Sequence, residues 1–114
     1  MRSLDLAWER AKILKEWEKW IERIREAARE VLSSDLVGIY LFGSVINGEL
    51  TASSDVDVLI IARIPKSSIK RSEIKVKIEE IAGLPEIHPF EIHIVDEDEA
   101  GVYLRHLKEA VRLE

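Results

Sequence analysis

Two short apolar runs, VGIYLF at residues 37–42 and VLII at 58–61, flank a polar stretch, GSVINGELTASSDVD, at 43–57. Both runs are rich in β-branched residues and bounded by turn formers, a pattern that predicts buried strands at about 37–42 and 56–62. Upstream, Ala7, Ala11, Leu14, Ile21, Ile24, Ala28 and Val31 recur at helical spacing. They predict one long helix, capped by Ser3 or Asp5, that runs to about Leu32 and is broken by Ser33-Ser34-Asp35. Ser44 to Asn47 reads as a short helical turn closed by Gly48, with a loop at 49–54. A helix at about 69–82 is expected to turn Ile69, Ile74, Ile78 and Ile81 inward and to end at Gly83 and Pro85. A third strand follows at about 88–95, where His88, Phe90, Ile92 and Ile94 alternate with Pro89, Glu91, His93 and Val95. Asp96 to Asp98 caps a last helix, expected to reach about Leu113 and to carry Val102, Leu104, Leu107 and Val111. This order predicts an α/β (α+β) fold with a small mixed sheet of about three strands packed with helices.

Composition narrows the function classes. A chain of 114 residues that is 46% hydrophobic and 34% charged fits a single domain spanning 1–114. The formal net charge of −5 argues against extensive contact with a nucleic-acid backbone. The absence of cysteine removes disulfides, thiolate zinc sites and cysteine nucleophiles. There is no apolar run near 18 residues and no signal-peptide pattern, so a soluble, cytoplasmic protein is expected. Glutamine is absent and Asn47 is the only asparagine, while Lys, Glu and Ile abound, a balance that fits a thermophilic source. Trp8, Trp17 and Trp20 widen the apolar stripe of the first helix, either as packing against the domain or as a partner-binding face.

The candidate chemistry lies in the polar stretch. Side chains two apart on a strand face the same way, so Asp55 and Asp57 share a face with Cβ atoms about 6–7 Å apart. Two such carboxylates repel unless a cation lies between them, and an all-oxygen donor set suits Mg²⁺ with substrate phosphates. Gly43-Ser44 supplies the complement, a close backbone approach and a hydroxyl at a turn that can grip phosphate.

Gly43-Ser44, ten residues, then Asp55-x-Asp57 resembles the signature of the polymerase-β-like nucleotidyltransferase superfamily. The likeness is greatest to its minimal stand-alone members, antitoxins of the MntA type among them, and covers residues 37 to about 96. The resemblance implies transfer of AMP from ATP with two Mg²⁺ ions. Asp55 and Asp57 would bridge the ions, Glu91 would be the third catalytic carboxylate, and Gly43, Ser44 and Ser54 would hold the nucleotide. The family's third position is most often Asp, so Glu91 is one methylene longer. His93 is expected on the same face, as a base, a phosphate ligand or a bystander. Asn47 stands where many minimal members carry Arg; Arg63, Lys66, Lys70 and Arg71 are the nearest basic residues in sequence. Larger relatives enclose the base and acceptor with a second helical domain, which this chain lacks. The resemblance therefore implies a helical HEPN-type toxin as partner in a hetero-oligomer, with AMP added to one of its tyrosines. The rival readings are an antitoxin that acts by binding alone and a nucleotidyltransferase with a small-molecule acceptor.

Overall fold

The computed structural model describes residues 2–107 and 109–114, with side chains from Asp5 onward. Its elements are α1 (Arg2–Lys15), α2 (Trp17–Leu32), a 3₁₀ turn (Ser33–Asp35), β1 (Leu36–Phe42), α3 (Ser44–Asn47), β2 (Val56–Ala62), α4 (Ser68–Ala82), β3 (Phe90–Val95), α5 (Glu97–His106) and β4 (Ala110–Arg112). The strands lie in the order β3-β2-β1-β4. β1 is antiparallel to β2 and to β4, while β2 and β3 run parallel, so the sheet is mixed as expected.

Alternation along the central strands sorts the side chains into two layers. On one face Ile39, Leu41, Val58, Ile60 and Ile92 pack with Ile21, Ile24 and Ala28 of α2 and Ile78 of α4. Ile24, Ile39, Ile60 and Ile78 are fully buried there, each contributing roughly 1.5–3 kcal/mol of apolar burial. On the other face Leu59, Ile61 and Val95 meet Ala100 and Leu104 of the short α5. That helix covers one end of the sheet face. The other end, where β1 stops and β2 starts, carries the polar residues singled out in the sequence.

Several expectations are corrected. The single long N-terminal helix is two helices, broken at Glu16 (φ −107°, ψ 31°). A straight helix of that length would run about 46 Å, twice the roughly 23 Å of a seven-residue strand. The break turns α1 back so that Arg10 reaches the loop before β2. Ala7 is accordingly exposed, and Asp5 lies inside the first turn of α1 instead of capping it; the Ser3 cap falls outside the described side chains. Trp17 and Trp20 pack against the core, whereas Trp8 is 71% exposed.

At the other end, α5 stops at His106 and the chain forms the edge strand β4, giving four strands instead of about three. The apolar spacing around Val111 thus belongs to a strand. Arg25 and Arg29 of α2 pull this tail in, with Arg29 Nε and Nη2 donating to Glu114 Oε1 and Oε2 at 2.6 and 2.7 Å. Arg25 Nη2 also donates to the Leu113 carbonyl at 2.7 Å. β3 begins at Phe90, two residues later than expected, after a Pro89 that has no N–H to give. In α4, Ile74 and Ile78 pack inward, but Ile69 and Ile81 are 72% and 42% exposed. At about 100° per residue Ile69 comes round on the face opposite Ile78, and Ile81 falls on its flank.

The start of α5 is fixed by charge. Asp96 accepts from the Glu99 amide at 2.9 Å in a capping box, from Lys66 Nζ at 2.5 Å and from Arg71 Nη2 at 3.2 Å. The Lys66 contact, then the Glu99 amide, hold its carboxyl down at about 2. A folded pKa below the ordinary aspartate value means that this stabilisation is complete above about pH 4. It is lost as the pH falls towards 2. Asp96→Asn is therefore expected to melt at a lower temperature than wild type at pH 7, with the difference narrowing between pH 4 and pH 2 in thermal melts.

Candidate active site

The parallel register of β2 and β3 sets Asp57 beside Glu91 and Leu59 beside His93, while β1 sets Phe42 opposite Asp57. Because faces alternate, Asp57, Glu91 and His93 rise from the same side of the sheet. One donor atom from each of the three lies within 4.8 Å of the others. His93 Nε2 is 3.8 Å from Asp57 Oδ1 and 3.8 Å from Glu91 Oε1. The imidazole stands between Phe42 and Tyr103, with ring centroids 5.7 and 6.2 Å away.

Asp55 lies one residue before β2 and outside this three-donor cluster. Its Oδ1 accepts from Arg10 Nη2 at 2.7 Å, and Arg10 also donates to the carbonyls of Ser54 at 2.8 Å and Ala52 at 3.1 Å. Sequence reasoning missed Arg10. It is 45 positions from Asp55, on a helix whose polar face gives no local sign of a distant partner.

Gly43 has φ 85° and ψ −156°, a conformation that L side chains rarely adopt, and a Cβ there would collide with Asp57 Oδ2. The glycine thus lets the turn after β1 close against the central carboxylate. Its carbonyl accepts from the amides of Ile46 and Asn47 at 3.1 and 3.3 Å, which starts α3. The first amides of a helix have no acceptor within it, so those of Ser44 and Val45 are donors for a ligand or solvent. Ser44 Oγ donates to the Asp55 carbonyl at 3.5 Å. Ser54, expected at the nucleotide, uses its hydroxyl within its own loop, accepting from the Thr51 amide at 2.8 Å. A cleft of about 510 Å³ opens beside this turn, lined by Phe42, Gly43, Asn47, Glu49, His106 and Glu109 among others.

The basic residues nearest in sequence do not replace the arginine missing at Asn47. Arg63, Lys66 and Arg71 are paired with Glu97, Asp96 and Glu99 around the start of α5, and Lys70 lies by Glu73. They gather past the far end of β2, about 20 Å along the strand from Asp57.

The electrostatics show what the cluster lacks. Asp57 is pushed up from the ordinary aspartate value, first by burial, then by the Glu91 carboxylate, with Asp55 adding to the effect and His93 opposing it. Burial and the neighbouring carboxylates disfavour the charged form of Asp57, and a divalent cation among them would relieve the repulsion. The residues present therefore fit a divalent metal with its nucleotide.

The profile of the nucleotidyltransferase domain family matches residues 21–100, well over half of the chain. The spectinomycin 9-adenylyltransferase of Staphylococcus aureus is 31% identical over 75 residues, which are 62% of this chain and 29% of that protein. The chain thus spans about three-tenths of the length of the curated relatives it matches. A crystal structure described as a candidate nucleotidyltransferase superposes with a TM-score of 0.64 at 27% identity, covering 82% of this chain and 97% of that one. A toxin–antitoxin complex solved with AMP-PNP gives a TM-score of 0.57 at 24% identity, covering 82% and 71%. The latter likeness is one of fold.

Two substitutions test the geometry without any ligand. A folded pKa above the unfolded value means that ionised Asp57 costs stability once the pH exceeds that pKa. Asp57→Asn should therefore raise the melting temperature of the metal-free protein at pH 7, with the gain shrinking as the pH falls and gone below about pH 4, the unfolded aspartate value. Gly43→Ala should lower stability by about 1–3 kcal/mol in denaturant titrations, as strained backbone and a displaced Asp57 require.

Proposed function

Since the chain belongs to the nucleotidyltransferase domain family, we propose that it transfers AMP from ATP to a hydroxyl, with Asp55, Asp57 and Glu91 as its catalytic carboxylates. The observation that carries this reading is the convergence of Asp57 and Glu91 beside a glycine turn that has no room for a Cβ. In the reaction the acceptor oxygen attacks the α-phosphorus in line, and pyrophosphate leaves from the opposite side. Asp55 and Asp57 would hold two Mg²⁺ ions, with Glu91 as a further ligand on the acceptor side. When bound, the ions supply Lewis-acid stabilisation of the attacking and leaving oxygens.

The chain's own residues do the rest. Glu91 is well placed to take the acceptor's proton, since its side chain is 56% exposed and faces the Asp57 carboxylate. The amides that open α3, with Ser44, receive the β- and γ-phosphates, and Gly43 lets them approach. Arg10 acts as a positioning residue: by holding the carbonyls of Ala52 and Ser54 it fixes the loop that presents Asp55.

The acceptor in this reading is a protein hydroxyl, a tyrosine on a HEPN-type toxin bound as a hetero-oligomer. The carboxylates are open on their outer side, with Asp55 55% exposed, so a second surface has to close over the nucleotide. The exposed Trp8 offers an apolar anchor, and the fold is shared with a toxin–antitoxin complex. A small-molecule acceptor is the second reading, favoured by the 31% identity to spectinomycin 9-adenylyltransferase. That match leaves most of the relative's length without a counterpart.

Intact-mass spectrometry separates the readings. With ATP and Mg²⁺, the product of the neighbouring gene should gain one AMP per modified tyrosine, and spectinomycin should gain none. Glu91→Gln should cut the transfer rate by about 10²-fold or more while keeping Mg–ATP affinity near wild type. An unmodified partner in a tight complex would instead identify an antitoxin that acts by binding alone.

A further inference from the structure

We propose that His93 is itself a metal ligand, so that Asp57, Glu91 and His93 form a mixed nitrogen–oxygen position that prefers Mn²⁺, Co²⁺ and Zn²⁺ over Mg²⁺. The inference rests on the nucleotidyl-transfer reading and names the ion that its acceptor side takes.

The distances come first. At 3.8 Å from each carboxylate, His93 Nε2 is too far for a hydrogen bond to either. It is close to the spacing of atoms that share one cation. Ligands about 2.0–2.2 Å from a common centre stand about 3.0–3.8 Å apart at ordinary coordination angles. The imidazole is also held in place, between the rings of Phe42 and Tyr103 and on a strand whose register fixes it beside Leu59.

The other two histidines are the control. His88 Nδ1 accepts from the Phe90 amide at 3.1 Å, which places its proton on Nε2, 2.6 Å from Glu79 Oε2. His106 Nδ1 lies 2.8 Å from the Val102 carbonyl. Each is a structural histidine with a partner. Among the described residues, the His93 ring makes no hydrogen bond. A half-buried imidazole, 28% exposed and aimed between two carboxylates, points to a ligand that all three share.

The donor type then sets the preference. Mg²⁺ is hard, takes oxygen and keeps its waters, whereas imidazole nitrogen binds later first-row ions progressively better. Replacing one oxygen donor by this nitrogen should therefore cost Mg²⁺ little and favour Co²⁺ and Zn²⁺ strongly. The triphosphate-side carboxylate Asp55 has no imidazole near it in this arrangement and keeps its preference for Mg²⁺.

The test reads metal binding and needs no turnover. Calorimetry and Co²⁺ visible absorption on the full chain should show His93→Gln losing about tenfold or more in Co²⁺ affinity, with Mg²⁺–ATP affinity changed less than about twofold. His88→Gln, whose ring is held against Glu79 of α4, should leave both unchanged. In case His93→Gln unfolds, proton NMR of the wild type with one equivalent of Co²⁺ supplies an independent readout. Hyperfine-shifted imidazole signals from His93 are expected, and their absence overturns the proposal. Equal Co²⁺ affinity in wild type and His93→Gln, with intact Mg²⁺–ATP binding, overturns the histidine ligand and leaves the transfer reading standing. If neither Co²⁺ nor Mg²⁺–ATP binds, both readings fall.

Discussion

The parallel pairing of β2 with β3 places two carboxylates, Asp57 and Glu91, on adjacent strands at the same level and on the same face. Neighbouring strands are about 4.8 Å apart, so the pairing forces like charges together where no hydrophobic gain offsets the repulsion. The fold tolerates this because the layer beneath does not depend on it. Val56, Val58, Phe90 and Ile92 from the same two strands are buried against the helices on the opposite face. Core and site are thus separated by strand parity. The sheet face that carries the repulsion is also the one that α5 leaves uncovered at this end, where a cation and its phosphates can enter.

The remaining charges are arranged around that constraint. Past the far end of β2, Asp96, Glu97 and Glu99 are matched by Lys66, Arg63 and Arg71, and the acidic first turn of α5 is neutralised locally. At the site end Arg10 is the cation that the described side chains supply, and it engages Asp55 and leaves Asp57 alone. The consequence appears in the proton affinities, low at Asp96 and raised at Asp57. One aspartate is built to be stable as a charge. The other gains from a partner that the chain does not supply.

Much of this was legible in the sequence, and for identifiable reasons. Strand boundaries at 56–62, the Gly43 turn and the shared face of Asp57 and Glu91 follow from period-two alternation and turn chemistry, which are local. The family assignment rests on the same stretch. What was not legible depends on distance. The Arg10–Asp55 pair links positions 45 apart, and the break at Glu16 that permits it carries no proline or glycine. Residues 110–112 keep apolar spacing that suits a helix equally well, and only pairing with β1 and the Arg29–Glu114 contact make them a strand. Hydrophobicity alone points Ile69 inward, whereas its angular position on α4 puts it outside.

The central claim, that this cluster performs nucleotidyl transfer, is tested most directly by following the two ends of ATP separately. The chain, incubated with its acceptor, Mg²⁺ and ATP labelled at either the α- or the γ-phosphate, should attach the α label covalently and release the γ label as pyrophosphate, and Asp57→Asn should do neither. Attachment of the γ label, or α-label transfer that survives Asp57→Asn, would contradict the account.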